Sequence, residues 1–443
     1  MRIIVVGAGA VGSYLAERLS AEGQDVVVIE DDEERASQLQ ETIDAMVLVG
    51  NGASTHMLEE AGADKTDLLI AVSNSDGANI LACHTATELG AKMTIARIEH
   101  PDLAEGADRL GVDVVIDPSA TAAKELVGVV GAGGASELVE FANGRLIMIG
   151  GRVDRGAPIT NGPLRELRMR AAEWGWVLAA LVRDGRTIVA HGDTIVEPGD
   201  HALVMTTAER VNDATKMLGL KRHDIERTVI MGGTRLAELT ADEMTHAGLS
   251  VVVIDQDQSR CRYLASRHPD ALVVCGDPTD PEVVAELDLG PKDAVLGLTG
   301  WDEVNMLGCL VAKATGAGVA IARFNRISYV SLLAGLGIDA AVSSRLMAAS
   351  AILRFVRQGQ VERVATFSDT DAEAIEIEVA PGSKACNRTL LELKLPKGVI
   401  VGGISRNGTT FVPDGSTVVR AGDHIIFFSL SRDIQESAAL FTA

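Results

Sequence analysis

The chain has 443 residues, more than one domain usually holds, so two to four domains are expected. Apolar residues make up 47% and aromatics only 3%, so the cores must be built from Val, Ile, Leu and Ala, as in parallel sheets buried on both faces. A formal net charge of −22 argues against a nucleic-acid partner, which needs a basic footprint, and disfavours docking on anionic lipid.

No run approaches the roughly 18 apolar residues that span a bilayer, and the chain enters a strand at once, so no leader is expected. That strand is Ile3-Ile4-Val5-Val6. It is followed by Gly7-Ala8-Gly9-Ala10-Val11-Gly12, a helical segment, and a second strand, Val26 to Ile29, that ends on Glu30. Strand, glycine loop, helix, strand and acidic end at this spacing point to a nucleotide. Gly7 permits the tight turn, Gly9 lets backbone approach a pyrophosphate, and Gly12 lets the helix pack closely. The helix N-terminus offers free N–H groups and the positive end of its dipole. Glu30 can accept from both hydroxyls of an adenosine ribose. Its charge, with Asp31 and Asp32, repels a 2′-phosphate, which favours NAD-type or adenosine nucleotides over NADP.

A helix from Asp31–Glu34 through Gln40 leads to a third strand, Ala45 to Val49, and the Gly50-Asn51-Gly52 turn. Helix Thr55–Ala61, strand Leu68–Val72, the loop Ser73-Asn74-Ser75-Asp76, helix Asn79–Leu89 and strand Thr94–Ile98 follow. One helix over Asp102–Leu110 and a sixth strand, Val112–Ile116, complete a doubly wound parallel α/β sheet. Ligands of such sheets sit at the carboxyl ends of the strands, where Glu30, Asn51, Ser73, Asn74 and Arg97 fall. Arg97 ends a buried strand, so it either pairs with a carboxylate such as Asp76 or reaches a ligand phosphate. Asp67 reads as a turn or helix-cap residue.

Val127–Gly134 reads as a glycine-rich hinge into a small α+β module without a phosphate loop. Its strands are Leu138–Phe141, Leu146–Ile149, Trp176–Val182 and Ala202–Met205, with a helix over Leu164–Ala172. Arg183-Asp184-Gly185 and Pro198-Gly199-Asp200-His201 read as turns.

The chain then repeats itself. Thr228–Gly232 restarts the opening strand, and Asp255 repeats Glu30 at the spacing that separates Gly232 from Gly7. At a spacing one residue longer, Asp293, Asp302, Asn305 and Arg323 repeat Asp67, Asp76, Asn79 and Arg97. The small module recurs too, with Arg406-Asn407-Gly408 and Ala421-Gly422-Asp423-His424. The second loop is degenerate: Thr234 stands where Gly9 stood and Ala237 where Gly12 stood, and Thr adds a branched side chain where backbone should meet pyrophosphate. Arg235 in the same turn offers charge. The five cysteines (Cys83, Cys261, Cys275, Cys309, Cys386) form no CxxC pair and read as buried free thiols. His84, His100, His201 and His424 show no pairing that suggests a metal or a triad.

These motifs, together with Glu60-Ala61-Gly62-Ala63-Asp64, Asp67 with Ala71-Val72-Ser73, Asn79 and Ile95-Ala96-Arg97-Ile98, resemble the RCK (KTN) regulatory subunits of bacterial Trk-type potassium uptake systems. The resemblance covers essentially the whole chain. It implies a tandem of Rossmann-like RCK N-terminal domains (residues 1–122 and 226–348) and small RCK C-terminal domains (135–219 and 359–443). It also implies NAD(H), with ATP/ADP as the alternative, at a first site of Gly7 to Val11, Glu30, Ser73, Asn74 and Arg97. A second site would comprise Gly232, Gly233, Thr234, Arg235, Leu236, Asp255 and Arg323. The expected assembly is a homo-oligomer, a tetramer giving an eight-domain ring, cytoplasmic and peripheral on the inner membrane face beneath a TrkH/TrkG-like potassium transporter subunit. The expected role is regulatory. The alternative, an NAD-dependent oxidoreductase, needs a proton-transfer residue beside the nicotinamide, and the small modules offer none.

Overall fold

Residues 1–132, 134–170, 175–220, 223–326, 329, 336–356, 361–367, 370 and 372–442 are described by a computed structural model of the chain. The opening repeat runs β1 (Arg2–Val6), α1 (Ala10–Ala21), β2 (Asp25–Glu30), α2 (Glu33–Thr42), β3 (Met46–Val49), α3 (Thr55–Glu60), β4 (Leu68–Ala71), α4 (Asp76–Leu89), β5 (Thr94–Arg97), α5 (Pro101–Ala104), β6 (Val114–Ile116) and α6 (Pro118–Gly131). Its sheet has the order β3-β2-β1-β4-β5-β6, with every pairing parallel. β1 and β4 leave neighbouring positions in opposite directions of the winding, which opens a crevice above their carboxyl ends. Caps set the helix starts: the Asp32 carboxylate accepts from the Glu34 and Arg35 amides, and the Ser75 hydroxyl from the Ala78 amide.

Two expectations fail here. The Asp102–Leu110 segment is not one helix: α5 stops at Ala104, Gly106 turns left-handed at φ 85°, and a separate 3-10 turn covers Ala107–Leu110. The expected hinge at Val127 is the last turn of α6, whose apolar residues Leu126, Val129 and Val130 are buried; tertiary packing overrides the low helix propensity of its glycines. Gly133, the helix end at Ala171–Ala172, and the domain limits Gly359 and Ala443 lie outside the described residues.

The remainder runs β7 (Glu137–Phe141), β8 (Leu146–Arg152), α7 (Leu164–Arg170), β9 (Trp176–Arg183), β10 (Arg186–Val189), β11 (His201–Thr207) and α8 (Val211–Leu218). The copy follows with β12 (Arg227–Met231), α9 (Arg235–His246), β13 (Ser250–Asp255), α10 (Gln258–Arg267), β14 (Ala271–Cys275), α11 (Pro281–Ala285), β15 (Asp293–Gly297), α12 (Asp302–Thr315), β16 (Val319–Arg323), β17 (Ala340–Val342) and α13 (Ser344–Val356). Last come β18 (Val361–Thr366), β19 (Ala372–Glu378), α14 (Leu390–Leu393), β20 (Val399–Arg406), β21 (Thr409–Phe411), β22 (His424–Leu430) and α15 (Ile434–Phe441). The second parallel sheet, β14-β13-β12-β15-β16-β17, copies the first; the antiparallel sheets β10-β9-β11-β8-β7 and β18-β19-β22-β20-β21 copy each other. The duplication is therefore complete at the level of strand order.

The chain forms two compact units. One is Met1–Thr121 with α13 from Arg345 onward; the other is Ala122–Ser344 with the described residues beyond 360. Within the first unit, Ile4, Val27, Leu69 and Ala96 of the sheet pack under Leu58, Ala82 and Ala86, and the Arg345 guanidinium lies 5.5 Å above the Tyr14 ring. Within the second, the two antiparallel sheets share a core of Phe141, Met148, Leu203, Phe367, Ile426 and Phe428. The buried Glu376 carboxylate accepts from the Ala142 amide at 3.1 Å across that contact.

The repeated Arg-Asp-Gly and Gly-Asp-His turns prove to be one interaction. Arg183 grips the buried Asp200 through two 2.7 Å bonds, and Arg406 grips Asp423 likewise. Each bidentate pair ties a hairpin turn to the start of the module's last strand. Asp293 is not simply a turn residue: it accepts from the Gly290 amide but also holds Arg227 at 2.7 Å. Asp67 likewise takes the Arg2 amide and Lys92.

Candidate nucleotide-binding site

In the first repeat, β1 ends at Gly7, whose φ of 95° suits only glycine and whose Cβ position lies 2.9 Å from the Ser73 backbone. The turn then lifts into α1. A Cβ on Gly12 would fall 1.8 Å from the Gly7 carbonyl oxygen, so helix and loop touch there. Gly9 behaves differently. It is the N-cap of α1, no side chain caps the helix, and a Cβ built on it meets nothing within 4 Å. The start of α1 thus combines open space beside Gly9 with the dipole's positive end, an arrangement that can accept an anion.

Glu30 is buried at the end of β2 and braces this loop. One carboxylate oxygen accepts from the Ala8 amide and the other from the Asp32 amide at 3.1 Å. Arg35 stands 3.6 Å from it and 3.2 Å from Asp32. The Ser13 hydroxyl donates to the Ala8 carbonyl at 2.7 Å. Gly7 to Gly12, Glu30 and Ser73 are thus gathered at the crevice between β2, β1 and β4.

Ser73 and Arg97 are held by a residue that the sequence reading left out of the site, the fully buried Asn79. Its oxygen accepts from the Ser73 amide and hydroxyl, and its nitrogen donates to the Ser73 and Arg97 carbonyls. Arg97 does not pair with Asp76. Its guanidinium bonds Glu99, with Nε at 3.1 Å, while Asp76 accepts from the Glu99 and His100 amides and so holds the loop that carries Glu99. Asn51 is exposed and its oxygen accepts from the Ala53 amide, which closes its own turn. Asn74 is exposed on the loop beyond β4. The signal for Asn79 and Asp76 was present in the sequence: both recur in the second half, as Asn305 and Asp302.

The second loop shares the frame but is filled in. Gly232 has φ 103° and lies against Thr299 as Gly7 lies against Ser73. Asp255 accepts from the Gly233 amide at 2.6 Å. The Thr234 hydroxyl, where Gly9 leaves space, accepts from the Ala237 amide at 3.3 Å and donates to the Leu298 carbonyl at 2.8 Å. The threonine therefore caps α9 with its own side chain. Arg235 and Leu236 open that helix, Leu236 buried, and Arg323 ends β16 half-buried, 3.5 Å from the Asn325 side chain.

The cysteine reading needs one correction. Cys83, Cys261 and Cys309 are buried, but Cys275 is exposed at the end of an outer strand and Cys386 is partly exposed. The His201 ring lies 2.8 Å from the Ser136 hydroxyl. Among the described residues no cluster of His, Cys, Asp or Glu suits a metal ion, and no helix is long and apolar enough to cross a membrane.

Comparison with known proteins follows the same division. A model of the TrkA-N domain matches residues 3–118 and 228–344, and a model of the TrkA-C domain matches 152–219 and 374–442. The chain is 31% identical over 449 residues to a Trk system potassium uptake protein TrkA homolog of Archaeoglobus fulgidus, covering both chains fully. It is 32% identical over 453 residues to the Trk system potassium uptake protein TrkA of Haemophilus influenzae, covering 100% of this chain and 98% of that one. Among solved structures, the GsuK channel bound to NAD has a TM-score of 0.59 at 18% identity, covering 99% of this chain and 78% of the channel chain, a likeness of fold. The relatives are named for potassium uptake and not for a reaction, which removes the ground for an oxidoreductase. Two N-type and two C-type matches in alternation, with full-length relatives above 30% identity, place the chain in the TrkA family of Trk-system potassium uptake proteins.

Proposed function

We propose that the protein is the cytoplasmic, nucleotide-sensing regulatory subunit of a potassium uptake system, and that its first Rossmann domain holds NAD(H), with ATP/ADP as the alternative. The observation that carries this is the uncapped start of α1 at Gly9, open where the corresponding threonine of the second loop is closed. The residues around it fit the ligand. Backbone of Gly7, Ala8, Gly9, Ala10, Val11 and Gly12 would cradle the pyrophosphate, and Glu30 would meet the ribose with the lone pairs that Ala8 and Asp32 leave free. Ser73, Asn74 and Asn51 would line the crevice, and Arg97, paired with Glu99, would flank it. In the proposed assembly four copies form an eight-domain ring on the inner membrane face beneath a TrkH/TrkG-like transporter subunit. Nucleotide then acts only through its different affinity for two ring states.

Calorimetry on the full chain tests the site: Gly9→Val and Glu30→Ala should abolish most nucleotide binding, and unchanged affinity would sink the assignment. A strain lacking the protein and any second uptake system should fail at limiting potassium. Regrowth with the wild-type protein, but not with Gly9→Val, is the expected outcome. Normal growth of the deletion strain would refute the regulatory role.

A further inference from the structure

We propose that Arg260, anchored by Glu238 and admitted by Gly233, latches the second phosphate loop shut, so that the two halves of the chain sense nucleotide unequally. This rests on the reading of the first loop as a nucleotide site. The spacing that pairs Gly7 with Gly232 also pairs Ala8 with Gly233, Gly9 with Thr234, Ser13 with Glu238 and Arg35 with Arg260. The same arginine therefore exists in both halves and goes to different places. Arg35 faces solvent at 52% exposure, against Glu30 and Asp32. Arg260 crosses the loop: its Nε donates to the Gly233 carbonyl, its Nη2 lies 3.0 Å from Glu238, and its guanidinium stacks 4.8 Å from the Tyr263 ring.

Three local differences explain the change of course. First, Glu238 supplies a carboxylate one helical turn into α9, and His268 stands 3.8 Å behind it; Ser13 at the matching place in α1 has no charge to offer. Second, a Cβ on Gly233 would lie 2.8 Å from Arg260 Cγ and 2.9 Å from Leu264 Cδ1, so the methyl of Ala8 keeps Arg35 off the first loop and its absence lets Arg260 on. Third, Thr234 already caps the Ala237 amide, one of those that a phosphate would use. The carbonyl that Ser13 satisfies with a short hydroxyl is satisfied here by a side chain lying across the entrance. Glu238 also neutralises the guanidinium in place, so Arg260 itself presents no net positive charge to an anion.

The test counts nucleotides per full-length chain by calorimetry with NADH and, separately, ADP. Wild type should bind one and Glu30→Ala none. Gly233→Ala/Thr234→Gly/Glu238→Ser, which installs the first-loop residues, should bind two, and one in the Glu30→Ala background. Arg260→Ala alone, a change at a half-buried side chain, should leave wild-type stoichiometry undiminished and raise second-site binding when combined with Thr234→Gly. Two sites in wild type, one of them lost in Arg260→Ala, would show the arginine to be a ligand and overturn the latch, as would a triple variant that gains no site. If wild type binds nothing, it is the first-loop reading that fails, and gain of a site in the triple variant still supports the latch.

Discussion

Asn79 grips Ser73 with both ends of its amide. The Oδ1 accepts from the Ser73 N–H at 2.9 Å and the Ser73 hydroxyl at 2.7 Å, and the Nδ2 returns a bond to the Ser73 carbonyl at 3.2 Å before reaching Arg97 O at 2.8 Å. Asn305 does the same to Thr299 and Arg323. The end of β4 and the end of β5 are thus fixed by one buried side chain in each repeat. Removing it strands buried backbone groups, at a cost on the order of 1–3 kcal/mol. Asn79→Ala and Asn305→Ala should each lower stability by that amount in urea titrations, but only Asn79→Ala should weaken nucleotide binding. Equal losses of binding from the two would contradict the assignment of the site to the first half.

Gly9 and Gly12 separate binding from folding. A methyl on Gly12 collides with the Gly7 carbonyl, so α1 must lift away from the loop, and overpacking of this kind costs about 1–3 kcal/mol. A methyl on Gly9 meets nothing, and its φ of −68° is open to any residue. Gly12→Ala should therefore lower the melting temperature of the first unit by several degrees, whereas Gly9→Ala should leave it unchanged while weakening nucleotide binding. Comparable melting losses from both would mean that the space over Gly9 is not free.

The fold was readable from the sequence wherever a local pattern and the repeat agreed: the six parallel strands of the first sheet and the first two of its copy announce themselves as runs such as Ile3–Val6 and Val251–Ile254. What escaped was decided by partners distant in sequence. Arg97 was expected either to pair with a carboxylate such as Asp76 or to reach a ligand phosphate; Asp76 is occupied by two backbone amides, and the carboxylate that takes the arginine is Glu99. The glycines at 128 and 131 suggested a hinge, yet burial of Leu126 and Val130 makes the segment helical. Thr234 was read as an obstruction; the structure adds that it is a cap, a distinction that depends on where its hydroxyl turns and so on no single residue of the sequence.

The cysteines sort by exposure. Burial pushes the Cys83 and Cys309 thiols up to about 12 and that of Cys261 to about 11, so none is a ready thiolate near neutral pH. Cys275 is exposed. Under native conditions an aromatic disulfide reagent should modify Cys275 first and Cys386 more slowly, with all five thiols of the chain reacting only in denaturant. Cys275→Ser should remove the fast phase. A fast phase surviving that substitution would mean that one of the buried thiols is reached without unfolding.

Glu125 on α6 gives the second unit a pH dependence of definite sign. Burial raises its pKa from 4.5 to about 7, and the attraction of Arg363, whose guanidinium also lies 5.8 Å from the Phe141 ring, only partly opposes this. The folded state therefore holds a proton that the unfolded chain has already released between pH 4.5 and about 7. Where the folded state binds more protons, stability falls as pH rises. The contribution is complete below about 4.5, declines across that window, and is gone above about 7. Glu125→Gln keeps the neutral shape without the titration. Its melting temperature should match wild type near pH 5 and exceed it near pH 8, with the difference growing through the window. Comparing the two proteins at each pH cancels the carboxylates they share, including Asp293, whose pairing with Arg227 acts in the opposite direction. Parallel melting curves from pH 5 to pH 8 would show that Glu125 is ionised in the folded protein throughout, with Arg363 outweighing burial.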